Sequence, residues 1–371
     1  MDKAFAIVIP SGRNFYVKGL QDHRPLGAFS FLGRYRLIDF ALSNLTNSEI
    51  DRIQVYVGQN PRSLAEHLGN GANFNINLKH GKLQLLFNQD SKLNDIYNTD
   101  IAAFASNLSI IQRMLQEYVV ITPSYMIFRQ NFEDLLNKHI DSGADITVLY
   151  HKVDNAKEQY RNMTLMSINR QKGVTNFFAN LGKTDSANLS MGTCIMKRDL
   201  LVELIQQARK TSSIYRLVDI INDRINDLDV RAVQHRGYFA AIYVLKSYMD
   251  ANFSLLDYNN VQDLFVPEWP FYTVTTDACP AHYFPGSSVR GSMVANGCDV
   301  EGSIENSVIG RNVKICKGAV VKNCVVLSHS VIGRDVHLEN QVVDKWAKII
   351  NAKEIVASPD NPGYIEREDT L

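Results

Sequence analysis

Residues 294–338 read VANGCDVEGSIENSVIGRNVKICKGAVVKNCVVLSHSVIGRDVHL, and aliphatic side chains recur in this stretch at intervals of six. One aliphatic residue in every six is typical of a triangular coil, in which each face contributes a short strand and the aliphatic side chains point inward. The recurring positions are Val294 and Val300, then Ile309, Ile315, Val321 and Leu327, and after one slip Ile332 and Leu338. We therefore predict a parallel β-helix of hexapeptide repeats, whose shared core is buried by stacking of the coils.

The chain before these repeats alternates short apolar runs with helical patterns. The candidate strands are Ala4–Ile9, Ile53–Val57, Tyr118–Ile121 and Ile146–Tyr150. The candidate helices are marked by apolar residues at Leu37–Leu45, Leu108–Leu115 and Phe132–Ile140. This alternation predicts an α/β fold with a mostly parallel sheet covered by helices on both faces. Ligands of such sheets bind at the carboxyl ends of the strands, which directs attention to the segments 10–13 and 122–125.

Composition excludes several classes of function. The 39 basic and 39 acidic residues balance to zero net charge, so bulk electrostatic binding of nucleic acid or of a membrane surface is not expected. No run of eighteen apolar residues and no signal-peptide profile is visible, which predicts a cytoplasmic protein. The five cysteines are scattered and form no C-x-x-C pair, so we expect reduced thiols and no zinc site.

The length and the change of periodicity indicate more than one domain. A chain of 371 residues exceeds what a single hydrophobic core usually serves. We predict an α/β domain over residues 1–256, a linker over 257–287 and a β-helix domain over 288–371. The linker is assigned because five Pro and Trp positions interrupt it and no periodicity is visible in it.

Several segments resemble bacterial glucose-1-phosphate adenylyltransferases, also called ADP-glucose pyrophosphorylases. They are Gly33–Asn47 (GRYRLIDFALSNLTN), Glu117–Ile121 (EYVVI), Ser190–Gly192 (SMG), Ser292–Cys298 (SMVANGC) and Val343–Lys345 (VDK). The resemblance implies a Rossmann-like nucleotidyltransferase domain followed by a left-handed β-helix. It also implies the reaction of that family, in which ATP and glucose 1-phosphate give ADP-glucose and pyrophosphate for glycogen biosynthesis with the help of Mg²⁺.

The phosphate-binding loop of that family is degraded in this chain. The family loop reads LAGGxGxRL, whereas the chain reads IPSGRNFYV over residues 9–17. Ser11, Gly12 and Arg13 are what remains of a substrate-binding loop, and only one glycine is kept. Because backbone N–H groups must approach the triphosphate closely, bulky neighbours such as Phe15 and Tyr16 argue against binding in the family manner.

The positions that carry the chemistry in the family are occupied by unsuitable side chains. Leu26 stands at the lysine of the basic RAKPAV motif, and Asn180 stands at the lysine of FVEKP. Tyr125 and Ala241 stand at the two aspartates that bind the metal. A leucine or an alanine cannot bind phosphate or Mg²⁺, and a phenol with a pKa of about 10 is a poor ligand for a hard cation. We therefore expect no catalytic residue and no metal site.

This combination of a retained scaffold and a lost site is similar to the GlgD-type companion subunits of the family. The resemblance implies a non-catalytic regulatory or scaffolding chain that binds no cofactor itself. Its partner would be a catalytic glucose-1-phosphate adenylyltransferase subunit that uses Mg²⁺, and the assembly would be a hetero-tetramer. No nucleic-acid or membrane partner is expected.

A basic cluster before the first helix has two interpretations. His23, Arg24, Arg34 and Arg36 lie where the catalytic relatives bind anionic effectors, so the cluster is a candidate site for a phosphorylated effector. It is equally consistent with a solvated or salt-bridged start of a helix.

Three alternatives remain open from the sequence. Asp95, Asp100, Glu133 and Asp134 are candidate substitute ligands in a weakly active adenylyltransferase, although acids such as Glu133 are also favoured in the first turn of a helix. The chain is otherwise a sugar-phosphate or nucleotide sensor. Finally, His329 and His337 fall in the repeats, where some hexapeptide proteins use a catalytic histidine.

Overall fold

The structure is a computed structural model that describes residues 3–10, 15–77, 79–87 and 99–371. Its helices are α1 (Leu37–Asn47), α2 (Arg62–Leu68), α3 (Asp100–Ser106), α4 (Leu108–Gln112), α5 (Phe132–Ser142), α6 (Arg198–Thr211), α7 (Leu217–Asp223), α8 (Leu245–Ser254) and α9 (Tyr258–Leu264).

The strands before residue 242 are β1 (Ala4–Ile9), β2 (Ser30–Phe31), β3 (Tyr35–Arg36), β4 (Arg52–Val57), β5 (Lys82–Phe87), β6 (Tyr118–Pro123), β7 (Met126–Phe128), β8 (Ile146–Val153), β9 (Thr164–Ile168), β10 (Val174–Ala179), β11 (Ala187–Lys197), β12 (Val230–Gln234) and β13 (Phe239–Ala241). The later strands are β14 (His282–Tyr283), β15 (Ser288–Arg290), β16 (Met293–Val294), β17 (Asp299–Val300), β18 (Ser303–Glu305), β19 (Val308–Ile309), β20 (Lys314–Ile315), β21 (Val320–Lys322), β22 (Val325–Val326), β23 (Val331–Ile332), β24 (His337–Glu339), β25 (Gln341–Val343), β26 (Lys348–Ile349), β27 (Glu354–Val356) and β28 (Gly363–Ile365).

The contacts within the chain define two compact units. Unit 1 comprises residues 1–15, 40–239 and 269–272, and unit 2 comprises residues 16–39, 240–268 and 273–371. This grouping differs from the boundaries predicted from the sequence, because the early segment 16–39 and the segment 240–268 pack with the repeats. The predicted linker 257–287 also contains a helix, α9.

Unit 1 is built on a nine-stranded mixed sheet. The strands follow the order β10-β9-β11-β6-β1-β4-β5, and β8 pairs with both β11 and β12. The pairs β1–β4, β1–β6, β4–β5 and β8–β12 are parallel, whereas β11 is antiparallel to β6, β8 and β9. The predicted α/β class is confirmed, and the parallel strands β1, β4 and β6 present their carboxyl ends at one edge.

The core of unit 1 lies between this sheet and its helices. In β1, Phe5 and Ile7 on one face and Ala6 and Val8 on the other are fully buried, as expected for a central strand covered on both sides. Helices α6 and α7 pack against the sheet through Leu204, Ile205, Ile220 and Ile221, among others.

One helix prediction in unit 1 is wrong at its end. Helix α4 stops at Gln112, and Leu115 is 91% exposed instead of continuing the apolar face. The chain has to reach β6 within a few residues, so tertiary connection overrides the helical spacing there.

Unit 2 contains the predicted β-helix, which is left-handed. Three parallel sheets of five strands each form its faces: β14-β17-β20-β23-β26, β15-β18-β21-β24-β27 and β16-β19-β22-β25-β28. The paired residues Ile309, Val326 and Val343 lie 17 positions apart, so the six-residue spacing is broken once in each of these two coils. For this reason Val326, and not the predicted Leu327, continues the inward column.

The corners of the β-helix require positive φ angles. Asn306, Asn323 and Asn340 occupy one corner in successive coils with φ of 43°, 48° and 55°. Asparagine tolerates this conformation better than most residues, and its amide also bonds to the next coil. The side chain of Asn306 donates to that of Asn323 at 2.7 Å, and Asn340 donates to the carbonyl of Ala357 at 2.8 Å.

One face of the β-helix is covered within unit 2. Val308, Val325 and Val342 point outward from β19, β22 and β25, yet each is at most 1% exposed. The segment 16–39 lies against this sheet. A Cβ atom on Gly19 would be 2.3 Å from the Tyr364 ring, and one on Gly33 would be 2.7 Å from the Ile309 carbonyl oxygen. Unit 2 therefore has a core inside the β-helix and a second protein layer, the segment 16–39, on the outside of one sheet.

The described part of the chain contains no helix that is both long and apolar enough to cross a membrane. All five cysteines are free thiols, as the sequence predicts.

The corner asparagines provide a test of the β-helix. We expect Asn340→Val to lower the free energy of unfolding by about 2–4 kcal/mol, because a β-branched residue at φ 55° is strained and the bond to Ala357 is lost. Asn340→Gly keeps the backbone angle accessible and loses only the bond, so it should cost about 1 kcal/mol. Urea unfolding followed by circular dichroism measures both, and equal losses would contradict the role of the backbone angle.

Candidate functional site

The carboxyl edge of the unit 1 sheet is filled by aromatic side chains. Tyr125 follows β6, is 4% exposed and packs edge-to-face on Phe15 with ring centroids 5.7 Å apart. Burial raises the pKa of Tyr125 above its usual value, so the phenol stays protonated at neutral pH. A neutral phenol in an apolar contact does not fit Mg²⁺.

A small cavity of about 110 Å³ remains beside these rings. Its walls are mainly apolar and include Ile9, Ile121 and Val148, with Asp100 and Arg216 as its charged residues. The space that the described residues leave at this edge is therefore small and mainly apolar. Tyr16 does not contribute to the filling, because it is 59% exposed and its hydroxyl donates to Asp22.

The Asp100 side chain is held by hydrogen bonds from the backbone. Its carboxylate accepts the backbone N–H groups of Ile101 at 2.8 Å and Leu217 at 3.1 Å. Burial raises its pKa, and the charge of Arg216 opposes this shift only in part. The carboxylate therefore joins the starts of α3 and α7.

Asn180 is also committed to the fold. It is 2% exposed, and its amide nitrogen donates to the carbonyls of Ala156 at 2.8 Å and of Gln159 and Tyr160 at 3.0 Å. Its side-chain oxygen accepts the N–H of Gly182 at 2.9 Å. With both ends of the amide satisfied, the residue at the former lysine position organises a loop and cannot bind a sugar phosphate.

The remaining predicted site residues give the same picture. In unit 2, Leu26 and Ala241 are 1% and 4% exposed and offer no ligand atom. Ser11, Gly12, Arg13 and Asp95 lie outside the described residues. Glu133 and Asp134 occupy the first turn of α5. Among the described residues, no three His, Cys, Asp or Glu side chains are placed to hold a metal ion.

Unit 2 contains a buried ion pair between Arg24 and Asp344, in line with the salt-bridged alternative for the basic cluster, although the sequence did not identify the partner. Arg24 is 3% exposed, and its Nη2 atom donates to both carboxylate oxygens of Asp344 at 2.8 and 2.7 Å. The Tyr364 hydroxyl donates to the same carboxylate at 2.6 Å. The Nη1 atom of Arg24 is buried without a hydrogen-bond partner among the described residues. A buried guanidinium nitrogen without a partner leaves part of the hydrogen-bonding capacity of Arg24 unused among the described residues.

Positive charge accumulates next to this pair. Lys345 follows Asp344 and is partly buried, and its pKa is lowered to about 7 by burial and by the nearby charges of Arg36, Arg24 and Arg367. Asp344 is the acid that opposes this shift. Neighbouring cations repel one another, and this repulsion lowers their pKa values. A bound anion offsets the repulsion, so the arrangement has the chemistry of an anion site.

The four predicted effector residues do not form a single cluster. Arg24 and Arg36 belong to the group around Lys345. Arg34 lines a separate groove of about 550 Å³ within unit 2, where burial and then the charge of Arg34 lower the pKa of Arg311. His23 is exposed after the short 3-10 turn Leu20–Asp22, and no described contact joins it to Lys345.

Comparison with known proteins agrees with this architecture. Residues 11–256 match the model of the nucleotidyl transferase family, and residues 283–361 match a GlmU-like C-terminal hexapeptide model. The glycogen biosynthesis protein GlgD of Geobacillus stearothermophilus is 31% identical over 82% of this chain and 80% of its own length. GlgD of Bacillus subtilis is 29% identical over 94% and 92%. The glucose-1-phosphate adenylyltransferase of Geobacillus stearothermophilus is 30% identical over 86% and 83%.

The chain belongs to the GlgD and glucose-1-phosphate adenylyltransferase family. In this GlgD-type chain, sequence reasoning missed Lys345, Arg367 and Arg311 as neighbours of the N-terminal arginines. The VDK segment that includes Lys345 was visible as a family motif. Arg24, which pairs with Asp344 of this segment, is 320 residues away in the sequence, so only the tertiary structure brings them together.

The buried ion pair can be tested by removing one charge. We expect Asp344→Asn to destabilise unit 2 by about 3–5 kcal/mol, because it leaves the Arg24 guanidinium buried without an opposite charge. Asp360→Asn is the control, since that side chain is 93% exposed and lies 3.9 Å from Lys246, and it should change stability by less than about 0.5 kcal/mol. Urea unfolding of both variants measures the difference. A loss as small as that of the control would show that Arg24 is compensated by other groups.

Proposed function

We propose that this chain is a non-catalytic regulatory subunit of a glucose-1-phosphate adenylyltransferase that acts in glycogen biosynthesis. Family membership supports the role in glycogen biosynthesis. The observation that carries the finer proposal is that the two positions of the family's metal carboxylates are held by Tyr125 and Ala241, both at 4% exposure. Neither residue can hold the Mg²⁺ that neutralises the phosphates during transfer.

The chemistry then resides in a partner chain. A catalytic subunit of the same family supplies the carboxylates and uses Mg²⁺, while this chain binds no Mg²⁺ and contributes fold and regulation within a hetero-tetramer. The mixed sheet of unit 1 and the β-helix of unit 2 support the proposal that this chain assembles with a partner of the same fold.

Regulation would act through the cluster of Arg24, Arg36, Lys345 and Arg367. All four side chains are basic, and Asp344 is the acid that opposes their charge at Lys345. One buried nitrogen of Arg24 also lacks an acceptor among the described residues. A phosphorylated effector supplies the missing negative charge and acceptor atoms. Binding of the effector would change the activity of the assembly by favouring one of its conformations.

The first prediction concerns activity. The purified chain alone should form no ADP-glucose from ATP, glucose 1-phosphate and Mg²⁺. A mixture with its catalytic partner should exceed the rate of the partner alone at equal partner concentration. Heat-denatured chain added to the partner is the control for non-specific effects. Turnover by the chain alone that is abolished by EDTA would contradict the proposal and would mean that substitute acids hold the metal.

The second prediction concerns the pH dependence of anion binding. Sulfate is a suitable probe because its charge is constant between pH 6 and 9. The pKa of Lys345 is about 7 in the free chain, so the ammonium is present below pH 7 and is lost as the pH rises. Since the anion favours the charged form, sulfate affinity should be highest below pH 7 and fall by up to about tenfold per unit above it.

Two variants separate Lys345 from the other charges near it, which are Arg24, Arg36, Arg367 and Asp344. Lys345→Arg keeps its charge and should bind sulfate equally at pH 7 and 9. Lys345→Gln should bind weakly at both values. Isothermal titration calorimetry measures the affinities, and a pH dependence that persists in Lys345→Arg would exclude Lys345 as its source.

A further inference from the structure

Two histidine rings meet in unit 1 where the pairing between the parallel strands β8 and β12 ends. His151 lies in β8, and His235 directly follows β12. The backbone N–H of His235 donates to the Tyr150 carbonyl at 2.7 Å, so the pairing of the strands fixes the two histidines side by side. Their Nδ1 atoms are 3.3 Å apart. The pair belongs neither to the filled carboxyl edge nor to the anion cluster.

The tautomer of His235 directs a lone pair at His151. A carbonyl oxygen only accepts hydrogen bonds, so His235 Nε2, which is 3.2 Å from the Arg129 carbonyl oxygen, carries the ring proton. The neutral ring then has its lone pair on Nδ1, the atom that faces His151. A bond from the other ring nitrogen to a backbone carbonyl is the usual arrangement of a metal-binding histidine, because it fixes the tautomer and the orientation of the ring.

Aromatic contacts hold both rings in place. Phe128 meets the His235 ring at an interplanar angle of 72°, with centroids 5.5 Å apart. Phe239 stacks on His151, with centroids 4.8 Å apart and planes 22° from parallel. His235 is 4% exposed, whereas His151 is only partly buried, so an ion reaches the pair from the His151 side. Because the rings are already ordered, little side-chain entropy is lost when a ligand binds between them.

The distance between the two Nδ1 atoms fits a chelate better than a hydrogen bond. Zinc binds imidazole nitrogen at about 2.0–2.1 Å, and two such bonds at a tetrahedral angle place the nitrogens about 3.3 Å apart. Hydrogen bonds from N–H donors to oxygen are mostly about 2.7–3.2 Å long. The observed 3.3 Å lies just beyond that range and at the separation of two metal ligands.

We propose that His151 and His235 bind a divalent transition-metal ion, such as Zn²⁺, through their Nδ1 atoms, with water completing the coordination. Imidazole suits Zn²⁺, Cu²⁺ and Ni²⁺, whereas Mg²⁺ prefers oxygen ligands. When the ion binds, the neutral His151 ring moves its proton from Nδ1 to Nε2. Both lone pairs then point at the ion, and no net proton is released. The ion links β8 to the segment that follows β12.

This site is separate from the Mg²⁺ site of the catalytic relatives. Val148 in β8 lines the cavity at the carboxyl edge of the sheet. Side chains three positions apart in a strand point to opposite faces, so His151 points away from that cavity. The two-histidine site therefore depends neither on Mg²⁺ nor on the proposed regulatory function.

Isothermal titration calorimetry on the full, untagged chain tests the site. Every protein in the series carries Cys279→Ser, because that exposed thiol is itself a zinc ligand. This background chain should bind one Zn²⁺ ion, and an excess of Mg²⁺ should not displace it. His151→Gln removes one of the two ligands and should weaken Zn²⁺ binding by at least about tenfold. His80→Gln is the matched control, since His80 is an exposed histidine of unit 1, and should leave the affinity unchanged.

The outcomes decide between a metal site and a simple contact of two rings. Zinc binding that is lost in His151→Gln and kept in His80→Gln supports the site. Equal affinity in His151→Gln and the background chain overturns the site, and so does a background chain that binds no Zn²⁺. In either case the pair is an ordinary N–H···N hydrogen bond.

Circular dichroism without metal shows whether His151→Gln is folded. If it is not, crystals of the wild-type chain soaked in Zn²⁺ give the answer by anomalous scattering. A zinc peak between the two Nδ1 atoms supports the site, and the absence of a peak at that position overturns it.

Discussion

The buried pair of Arg24 and Asp344 is the interaction on which the organisation of unit 2 depends. It joins the early segment 16–39 to the fourth coil of the β-helix through two bonds of 2.7 and 2.8 Å. A buried charge is stable only beside an opposite charge, so displacement of either residue would leave the other as an unpaired buried charge. The charges of Arg24 and Arg36, both in the segment 16–39, act on Lys345, which directly follows Asp344.

At the carboxyl edge of the unit 1 sheet, packing and hydrogen bonding of side chains take the place of ion pairing. Where a nucleotidyl transferase needs open space, free carboxylates and mobile lysines, this chain has packed or saturated groups. Tyr125 and Phe15 occupy volume, and Asn180 uses both ends of its amide to hold a loop. Both arrangements stabilise the fold, because they bury apolar area and satisfy hydrogen bonds.

Prediction from sequence succeeded where the signal was local. The strand Ala4–Ile9 and the β-helix were correct, because a central buried strand and a stacked coil each leave a periodic pattern in the residues. It failed where the spacing of apolar residues continued beyond the end of a helix or of a coil. Leu115 keeps helical spacing after α4 has ended, and Leu327 keeps a period of six where the coil needs five residues to close. Both errors arise from contacts between distant segments, which periodicity does not contain.

The sequence by itself determined the fold class and the family, since both depend on which residue types recur at given positions. It could not determine that Arg24 and Arg36 join Lys345 and Arg367 while Arg34 faces Arg311. Nor could it reveal that Trp346 lies at a left-handed corner against His329. Those relations depend on how the segment 16–39 packs on the coils and on how the coils stack, and only the tertiary structure fixes distances between residues that are far apart in the chain.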